Sequence, residues 1–182
     1  MKKLLILLTI ISIVACKEKH NESIIGIQFK DYKKINQLAN FKKKIDTSFY
    51  SIDFEPKYGI LHLSNEKKDL VIYANIWYDS DRERTYKVLD TLSFSNFDKN
   101  EKVTIGYCEF DIKNQHNGNL IALVENTDSK NMFNFKIKKA WVANPNTEKI
   151  EPIENIDKVD CFNEWYDGEE TKINYDLLNE AK

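Results

Sequence analysis

The sequence predicts a mainly β (α+β) fold of antiparallel sheets, sandwich-like or partly closed, with one amphipathic N-terminal helix and a candidate short C-terminal helix. From residue 49 onward, apolar and polar residues alternate over short stretches, which is the period of a half-buried strand. Clusters of Asn, Asp, Ser, Gly or Pro separate these stretches at regular intervals, as turns do in antiparallel proteins. Residues 31–45 instead show helical spacing.

The N-terminal helix is predicted at residues 31–45. Its apolar residues recur every three to four positions, lysines fill the remaining positions, and Asp31 can cap the first turn. The lysine run 42–44 would then face solvent or contact anionic lipid headgroups. The tail at 174–181 either forms a short final helix or frays.

Eight strands are predicted at residues 49–54, 58–63, 70–78, 86–94, 103–110, 120–125, 133–143 and 148–153. Both alternating sets of the third strand are largely apolar, which predicts a central strand covered on both sides. In the seventh, Lys136 and Lys138 alternate with apolar residues, which predicts one face toward water. The turn Asn144-Pro145-Asn146-Thr147 predicts a hairpin between the last two strands.

The N-terminus has the pattern of a secretory signal. Lys2 and Lys3 precede an apolar run at residues 4–14, which is too short for a bilayer span of about 20 residues. Ile13-Val14-Ala15-Cys16 resembles the lipobox of bacterial lipoproteins, whose cysteine is acylated and becomes the mature N-terminus. The alternative is an ordinary signal peptide cut near Ala15, with Cys16 incidental.

The lipobox divides the chain into three parts. We expect residues 1–15 to be removed as a signal peptide and residues 16–23 to form the lipidated cysteine and a polar tether. Residues 24–182 then form a single β-rich globular domain of ordinary length. A lipid anchor with several acyl chains holds a protein on the membrane effectively permanently.

The charge pattern argues against nucleic acid as a partner. The formal net charge is −2, and Arg82 and Arg84 are the chain's two arginines. The lysines are interleaved with acidic residues instead of being clustered, so the sequence lacks the basic footprint typical of nucleic-acid binding.

The cysteine count predicts a disulfide. If Cys16 carries lipid, Cys108 and Cys161 remain as an even pair in a compartment where disulfides persist. The alternative is two buried free thiols, since cysteine is among the most buried residue types. There is no Cys-x-x-Cys spacing, which argues against a thiol-redox enzyme.

No catalytic residue, metal site or cofactor is predicted. His20, His62 and His116 have no histidine neighbour at a metal-pair spacing, and nucleophile, zinc-protease and phosphate-loop motifs are missing from the sequence. His62 alone is more typical of a packed strand residue than of a general base.

The C-terminal part contains a candidate protein-binding patch. Trp165 and Tyr166 lie beside Asp167, Glu169 and Glu170, and an exposed pair there would form an aromatic and acidic surface. Trp and Tyr dominate the energetics of protein interfaces. The alternative is that both rings pack into the core.

Residues 90–166 resemble small lipoproteins of the Bacteroidota. The resemblance rests on four motifs, Leu89-Asp90-Thr91-Leu92, Gly106-Tyr107-Cys108, Ala140-Trp141-Val142-Ala143-Asn144 and Cys161-Phe162-Asn163-Glu164. Lys17-Glu18 after the lipobox cysteine is also similar to the export signal of surface lipoproteins in that phylum. The resemblance implies a lipid-anchored place in the cell envelope, at the outer membrane and displayed on the surface, and it adds weight to the cysteine pair.

These features favour a non-enzymatic cell-envelope lipoprotein that binds an unidentified protein and meets the membrane through its N-terminal lipid. A narrower alternative is an immunity or inhibitor protein against a periplasmic toxin or hydrolase. A different class, a small-ligand carrier or hydrolase, would need a concave, largely apolar pocket, with His62 as its candidate polar group.

Overall fold

The computed structural model describes residues 23–50, 56–95, 98, 100–110, 118–133 and 136–167. The predicted signal peptide, the lipid-attachment residue Cys16 and the candidate helix at 174–181 lie outside the described residues. All of the predicted tether except Ser23 lies outside them as well.

Eleven strands and three short 3₁₀ helices form in the described ranges. The strands are β1 (Gln28–Phe29), β2 (Lys42–Tyr50), β3 (Pro56–Ser64), β4 (Lys68–Tyr78), β5 (Arg84–Ser95), β6 (Glu101–Ile105), β7 (Cys108–Phe110), β8 (Leu120–Glu125), β9 (Ile137–Asn144), β10 (Lys149–Pro152) and β11 (Val159–Cys161). The 3₁₀ helices are Tyr32–Lys34, Asn36–Leu38 and Ile156–Lys158. The predicted mainly β class is confirmed.

The strands form three antiparallel sheets. A five-stranded sheet has the order β1-β5-β4-β3-β2, a four-stranded sheet has the order β10-β9-β8-β6, and β11 pairs with β7 in a two-stranded ribbon. β4 lies at the centre of the large sheet and its residues 70–74 are all buried, as the sequence predicts. The predicted hairpin between β9 and β10 is confirmed, because Glu148 N donates to Asn144 O at 2.9 Å.

The amphipathic helix predicted at residues 31–45 is wrong. Two 3₁₀ helices, Tyr32–Lys34 and Asn36–Leu38, occupy the start of this range, and β2 begins at Lys42. Ile35, Leu38 and Phe41 are buried and recur every third residue, which is the period of a 3₁₀ helix. The bonds from Leu38 N to Ile35 O at 2.8 Å and from Phe41 N to Leu38 O at 3.0 Å close such turns. Asp31 does form the predicted cap, accepting from the Lys33 amide at 3.0 Å.

The strand predicted at residues 103–110 is interrupted. Gly106 has a φ of 78°, a left-handed conformation that glycine adopts without steric cost, and it separates β6 from β7. β6 pairs with β8, whereas β7 pairs with β11 in a different sheet. The first predicted strand also begins earlier, at Lys42, and the seventh begins later, at Ile137.

One face of the five-stranded sheet is covered by the N-terminal segment. The buried apolar residues of that segment are Ile24, Phe29, Ile35, Leu38 and Phe41. They pack against β3, β4 and β5, and the Phe29 ring stacks on Tyr86 with the centroids 5.1 Å apart.

The opposite face packs against the four-stranded sheet. The rings of Phe49, Tyr58 and Tyr73 lie 5.6 to 6.0 Å apart on the large sheet. They share one core with apolar residues of the smaller sheet, namely Val103, Ile105, Ile121 and Ala143. The Asp90 carboxylate on β5 also accepts from the Ile150 amide at 2.9 Å, which joins the large sheet to β10, the edge strand of the smaller sheet.

The β7–β11 ribbon forms a third layer. Its inner residues, Cys108, Val159 and Cys161, are buried. They pack against the outer face of the four-stranded sheet, whose contributing residues are Leu120, Ala122, Val124 and Ala140. The four-stranded sheet is therefore covered on both faces, by the five-stranded sheet on one side and by the ribbon on the other.

The five-stranded sheet is strongly curled. β2 and β5 are separated by β3 and β4, which would place them about 14 Å apart in a flat sheet. Asp46 of β2 nevertheless accepts from the Arg84 guanidinium at 2.9 Å and from the Tyr86 hydroxyl at 2.9 Å, both on β5. A Cβ at Gly59 would lie 2.9 Å from the carbonyl oxygen of Thr47, so the absence of a side chain there permits a close approach of β2.

We predict that the Tyr86 hydroxyl makes stability fall in alkali. Burial raises the pKa of Tyr86 to about 12, whereas an unfolded tyrosine titrates near about 10. The stability that the protonated hydroxyl contributes is therefore complete below about pH 10 and is lost as the pH rises toward 12. In urea unfolding, the advantage of the wild type over Tyr86→Phe should shrink by about 2 kcal/mol between pH 9 and pH 12.

The surface residue Tyr107 provides the control for this measurement, because Tyr107→Phe also removes one phenolic hydroxyl from an exposed site. Its difference from the wild type should change little over the same pH range. A constant difference between the wild type and Tyr86→Phe would contradict the prediction.

Candidate functional site

Cys108 and Cys161 are joined by a disulfide, as predicted from the cysteine count. Their sulfur atoms are 2.08 Å apart, and the two residues are directly opposite each other on β7 and β11. The Phe162 amide donates to Tyr107 O at 2.8 Å, so the cysteines occupy the more closely spaced, non-hydrogen-bonded type of pair. Their Cα atoms lie 4.0 Å apart, closer than the roughly 4.4 to 6.8 Å usual for a bridge.

Five exposed apolar residues lie on the segments next to this disulfide, and we call them the aromatic surface. They are Tyr107, Met132, Phe133, Phe162 and Trp165. Trp165 is 69% exposed, more than any other large hydrophobic residue in the described ranges. Outside this surface, the described exposed large hydrophobics are Ile25 and Tyr78.

Backbone pairing brings the members of the aromatic surface together. Phe162 bridges to Phe133 in an antiparallel pair, and the two ring centroids are 4.8 Å apart. The amide of Phe162 bonds to the carbonyl of Tyr107, and the next amide, from Asn163, bonds to the carbonyl of Met132 at 2.7 Å. Three chain segments that are far apart in sequence thus meet at the end of β11.

Asn163 holds these segments in place. It is buried, and its side-chain amide donates to Asp128 O at 3.1 Å and to Asn131 O at 2.9 Å. Its side-chain oxygen accepts from the Trp165 amide at 3.2 Å and from the Lys102 ammonium at 3.4 Å. All the side-chain hydrogen-bonding capacity of one buried residue is therefore used to fix the loop before Phe133 and the turn that carries Trp165.

Four carboxylates lie on the segments that carry the aromatic surface, and we call them the acidic rim. They are Asp128, Asp160, Glu164 and Asp167. Asp160 lies two residues before Phe162 on the outer face of the ribbon, and the Asp167 amide bonds to Ser129 O at 2.9 Å. Lys130 follows Asp128 on the same loop, and the largely buried Lys102 ammonium lies 3.8 Å from the Glu164 carboxylate.

The structure places the predicted patch residues differently. Trp165 and Asp167 are exposed, Tyr166 is half-buried, and Glu169 and Glu170 lie outside the described residues. The sequence did not reveal Tyr107, Met132, Phe133 and Phe162 as members, because strand pairing alone brings them to Trp165. One usable signal was the position of Phe162 directly after a cysteine that was predicted to be bridged.

His62 has the environment of a packed strand residue. It is buried, and its Nε2 lies 2.6 Å from the Asp69 carboxylate. Its Nδ1 is buried without a hydrogen-bond partner among the described residues. Two open grooves are described, one lined by residues 40, 42, 44 and 64–67 and the other by residues 27–31 and 34–37, and His62 lines neither of them.

Polar clusters elsewhere in the described residues form ion pairs and do not form a metal site. Within the described ranges, no group of three or more His, Cys, Asp or Glu residues is arranged to hold a metal ion. The Lys30 ammonium contacts the carboxylates of Asp79 and Glu83, which lowers the pKa of Asp79. The same part of the chain has no helix of the length and hydrophobicity that a membrane crossing requires.

Comparisons with known proteins add no assignment, since no protein-family model, curated protein or solved structure matches the chain.

We predict that the disulfide stabilises both the fold and the aromatic surface. The bridge joins residues 53 positions apart, and removal of a native bridge typically lowers the free energy of unfolding by about 2–5 kcal/mol. Cys108→Ala with Cys161→Ala should lower the urea midpoint by a corresponding amount. The emission of Trp165 should change as well, because β11 leads directly into its turn.

Cys16→Ser is the matched control, since it removes a cysteine that lies outside the bridge. It should leave the midpoint unchanged. An unchanged midpoint in the Cys108→Ala, Cys161→Ala variant would show that the bridge has no stabilising role.

Proposed function

We propose that this protein is a non-enzymatic cell-envelope lipoprotein that binds a partner protein through the aromatic surface. The observation that carries the proposal is the gathering of five exposed apolar side chains next to the disulfide. Soluble proteins rarely leave a contiguous apolar patch exposed without a function, and Trp, Tyr, Phe and Met are the residue types enriched at interfaces.

Rigidity supports a binding role for this surface. Trp165 and Phe162 are held by backbone bonds, by the buried Asn163 and by the bridge between Cys108 and Cys161. A surface fixed before binding loses less conformational entropy when a partner docks. Large aromatic side chains on such a surface typically supply the few contacts that dominate affinity.

The acidic rim defines the chemistry of the partner. Lys102 contacts Asn163 and pairs with Glu164 of the rim, which leaves the carboxylates of Asp128, Asp160 and Asp167 in excess over the neighbouring Lys130. The complementary partner therefore presents an apolar centre surrounded by lysine or arginine. Such charge complementarity increases the association rate and discriminates against wrong partners. A compact acidic rim also suits the narrower role of an immunity or inhibitor protein for a cationic target.

The proposed location rests on the N-terminal sequence. The basic start, the short apolar run and the lipobox ending at Cys16 favour a lipid anchor, and the resemblance to Bacteroidota lipoproteins favours the outer membrane with display on the surface. The Cys108–Cys161 disulfide supports an oxidising compartment. The membrane and the partner protein are thus the two proposed contacts of the chain.

We predict that Cys16→Ser moves the protein from the membrane fraction to the soluble envelope fraction. The acyl chains are the proposed anchor, and a variant without the acceptor thiol cannot carry them. Cys108→Ser with Cys161→Ser should remain in the membrane fraction, which controls for the loss of thiols in general. Membrane retention of the Cys16→Ser protein at wild-type level would refute the lipoprotein assignment.

We predict that a cationic apolar peptide binds the aromatic surface. The probe is a peptide of alternating leucine and lysine residues, and its counterpart carries glutamate in place of lysine. Calorimetry should detect binding of the lysine peptide and no binding of the glutamate peptide. Trp165→Ala should weaken the affinity for the lysine peptide at least about tenfold, as expected for an interface hot spot.

Ile25→Ala is the matched control for this titration, because Ile25 is also an exposed apolar residue but lies in the N-terminal segment. It should retain the wild-type affinity. Equal binding of the two peptides, or full affinity in Trp165→Ala, would overturn the proposed surface.

A further inference from the structure

A second polar site, independent of the aromatic surface, lies where the β3–β4 turn meets the start of β2. It is an open groove of about 550 Å³. Three exposed lysines line it, Lys42, Lys44 and Lys67, and neutral side chains of Asn40, Ser64 and Asn65 complete most of the wall. Glu66 is the one acidic residue among the lining residues.

Strand pairing and a tight turn fix the positions of these lysines. Lys42 is directly opposite Ser64 on β3. The Asn65 side-chain oxygen accepts from the amides of Lys67 at 2.9 Å and Lys68 at 3.0 Å, so the turn that carries Lys67 is held next to Ser64. The groove is thus built on paired backbone, not on a free loop.

A β-bulge brings Lys44 into the same groove. The register between β2 and β3 shifts between Lys43 and Ile45, and Lys44 has no opposite residue on β3. The neighbouring Lys43 has a different role, since its ammonium pairs with the Asp46 carboxylate at 2.8 Å. Lys43 therefore forms an ion pair on β2, whereas Lys42 and Lys44 on either side of it line the groove.

The ammonium groups of the three groove lysines form no ion pair within the described residues. In the described ranges, no carboxylate lies within ion-pair distance of Lys42, Lys44 or Lys67. A fourth ammonium, from Lys68, lies 5.5 Å from the Phe41 ring centroid at the same end of the sheet. Like charges gathered in a concavity repel one another and concentrate a positive potential, which an anion relieves.

We propose that this groove binds a phosphate group. Three exposed lysines lining one concavity offer several charge-assisted donors, and a phosphate offers several acceptor oxygens with a charge of −1 to about −2. The Ser64 hydroxyl and the amide groups of Asn40 and Asn65 add neutral donors around it. The single Glu66 leaves the lining with an excess of positive charge. The phosphate belongs either to a phospholipid headgroup or to a small free phosphate compound.

The experiment uses the full chain carrying Cys16→Ser, so that an acyl anchor does not decide the result. One arm titrates inorganic phosphate and follows the groove amides of residues 40–44 and 64–68 by NMR. The other arm measures co-sedimentation with vesicles of phosphatidylcholine alone and of phosphatidylcholine mixed with phosphatidylglycerol. The groove variant combines Lys42→Gln, Lys44→Gln and Lys67→Gln.

The matched control combines Lys57→Gln, Lys87→Gln and Lys149→Gln, which removes the same charge from three exposed lysines outside the groove. We expect phosphate to shift the groove amides, and the groove variant to lose at least about tenfold in affinity while the control keeps it. Added binding to the anionic vesicles identifies a lipid source, and binding to phosphate without vesicle binding identifies a free compound.

Two results would overturn the site. One is an equal loss in the groove and control variants, which would show that net charge alone attracts anions. The other is the absence of amide shifts and of vesicle binding in the parent chain. Neither bears on the aromatic surface, because the groove variant leaves Trp165 and its neighbours intact and the peptide titration can be repeated on it.

Discussion

The fold depends on a five-stranded sheet that is apolar on both faces and must therefore be covered twice. Tyr73, Ile72 and Val71 of β4 are fully buried although consecutive side chains point to opposite faces. The N-terminal segment covers one face, and the four-stranded sheet covers the other. The four-stranded sheet then has an apolar outer face of its own, which the disulfide-bridged ribbon covers.

This order of layers explains where an exposed apolar surface can form. The ribbon consists of two three-residue strands, and one of its faces packs against the four-stranded sheet. Its other face therefore lies toward solvent. Cys108 and Cys161 occupy its inner side, while Phe162 lies on its outer side next to Phe133. The pairing of β7 with β11 therefore buries the cysteines against the four-stranded sheet and places aromatic rings on the outer face. The disulfide stabilises both arrangements because it links the two strands.

Alternation in the sequence was sufficient to predict most strands from β3 to β10, the central position of β4 and the hairpin at Asn144. The bridge between Cys108 and Cys161 was predicted from the cysteine count instead, and the short strands β1 and β11 were not predicted. Alternation was insufficient at residues 31–45, since a period of three and a period of 3.6 are hard to separate over so few residues. It also missed the break at Gly106, where one left-handed glycine transfers the chain to another sheet. Trp165 was the one member of the aromatic surface that was predicted, because the other members meet it through non-local pairing, and Asp167 was the one predicted member of the acidic rim.

Charge is segregated in a chain whose formal net charge is only −2. Acidic residues surround the aromatic surface near Trp165, whereas the groove beside Lys42 and Lys44 has an excess of ammonium groups. Elsewhere in the described residues, lysines and carboxylates form ion pairs on the sheets, as Lys138 does with Glu101. Exposed pairs of that kind contribute little to stability. The opposite charges of the two regions would let the proposed cationic protein and the proposed phosphate bind to separate parts of the surface without competing.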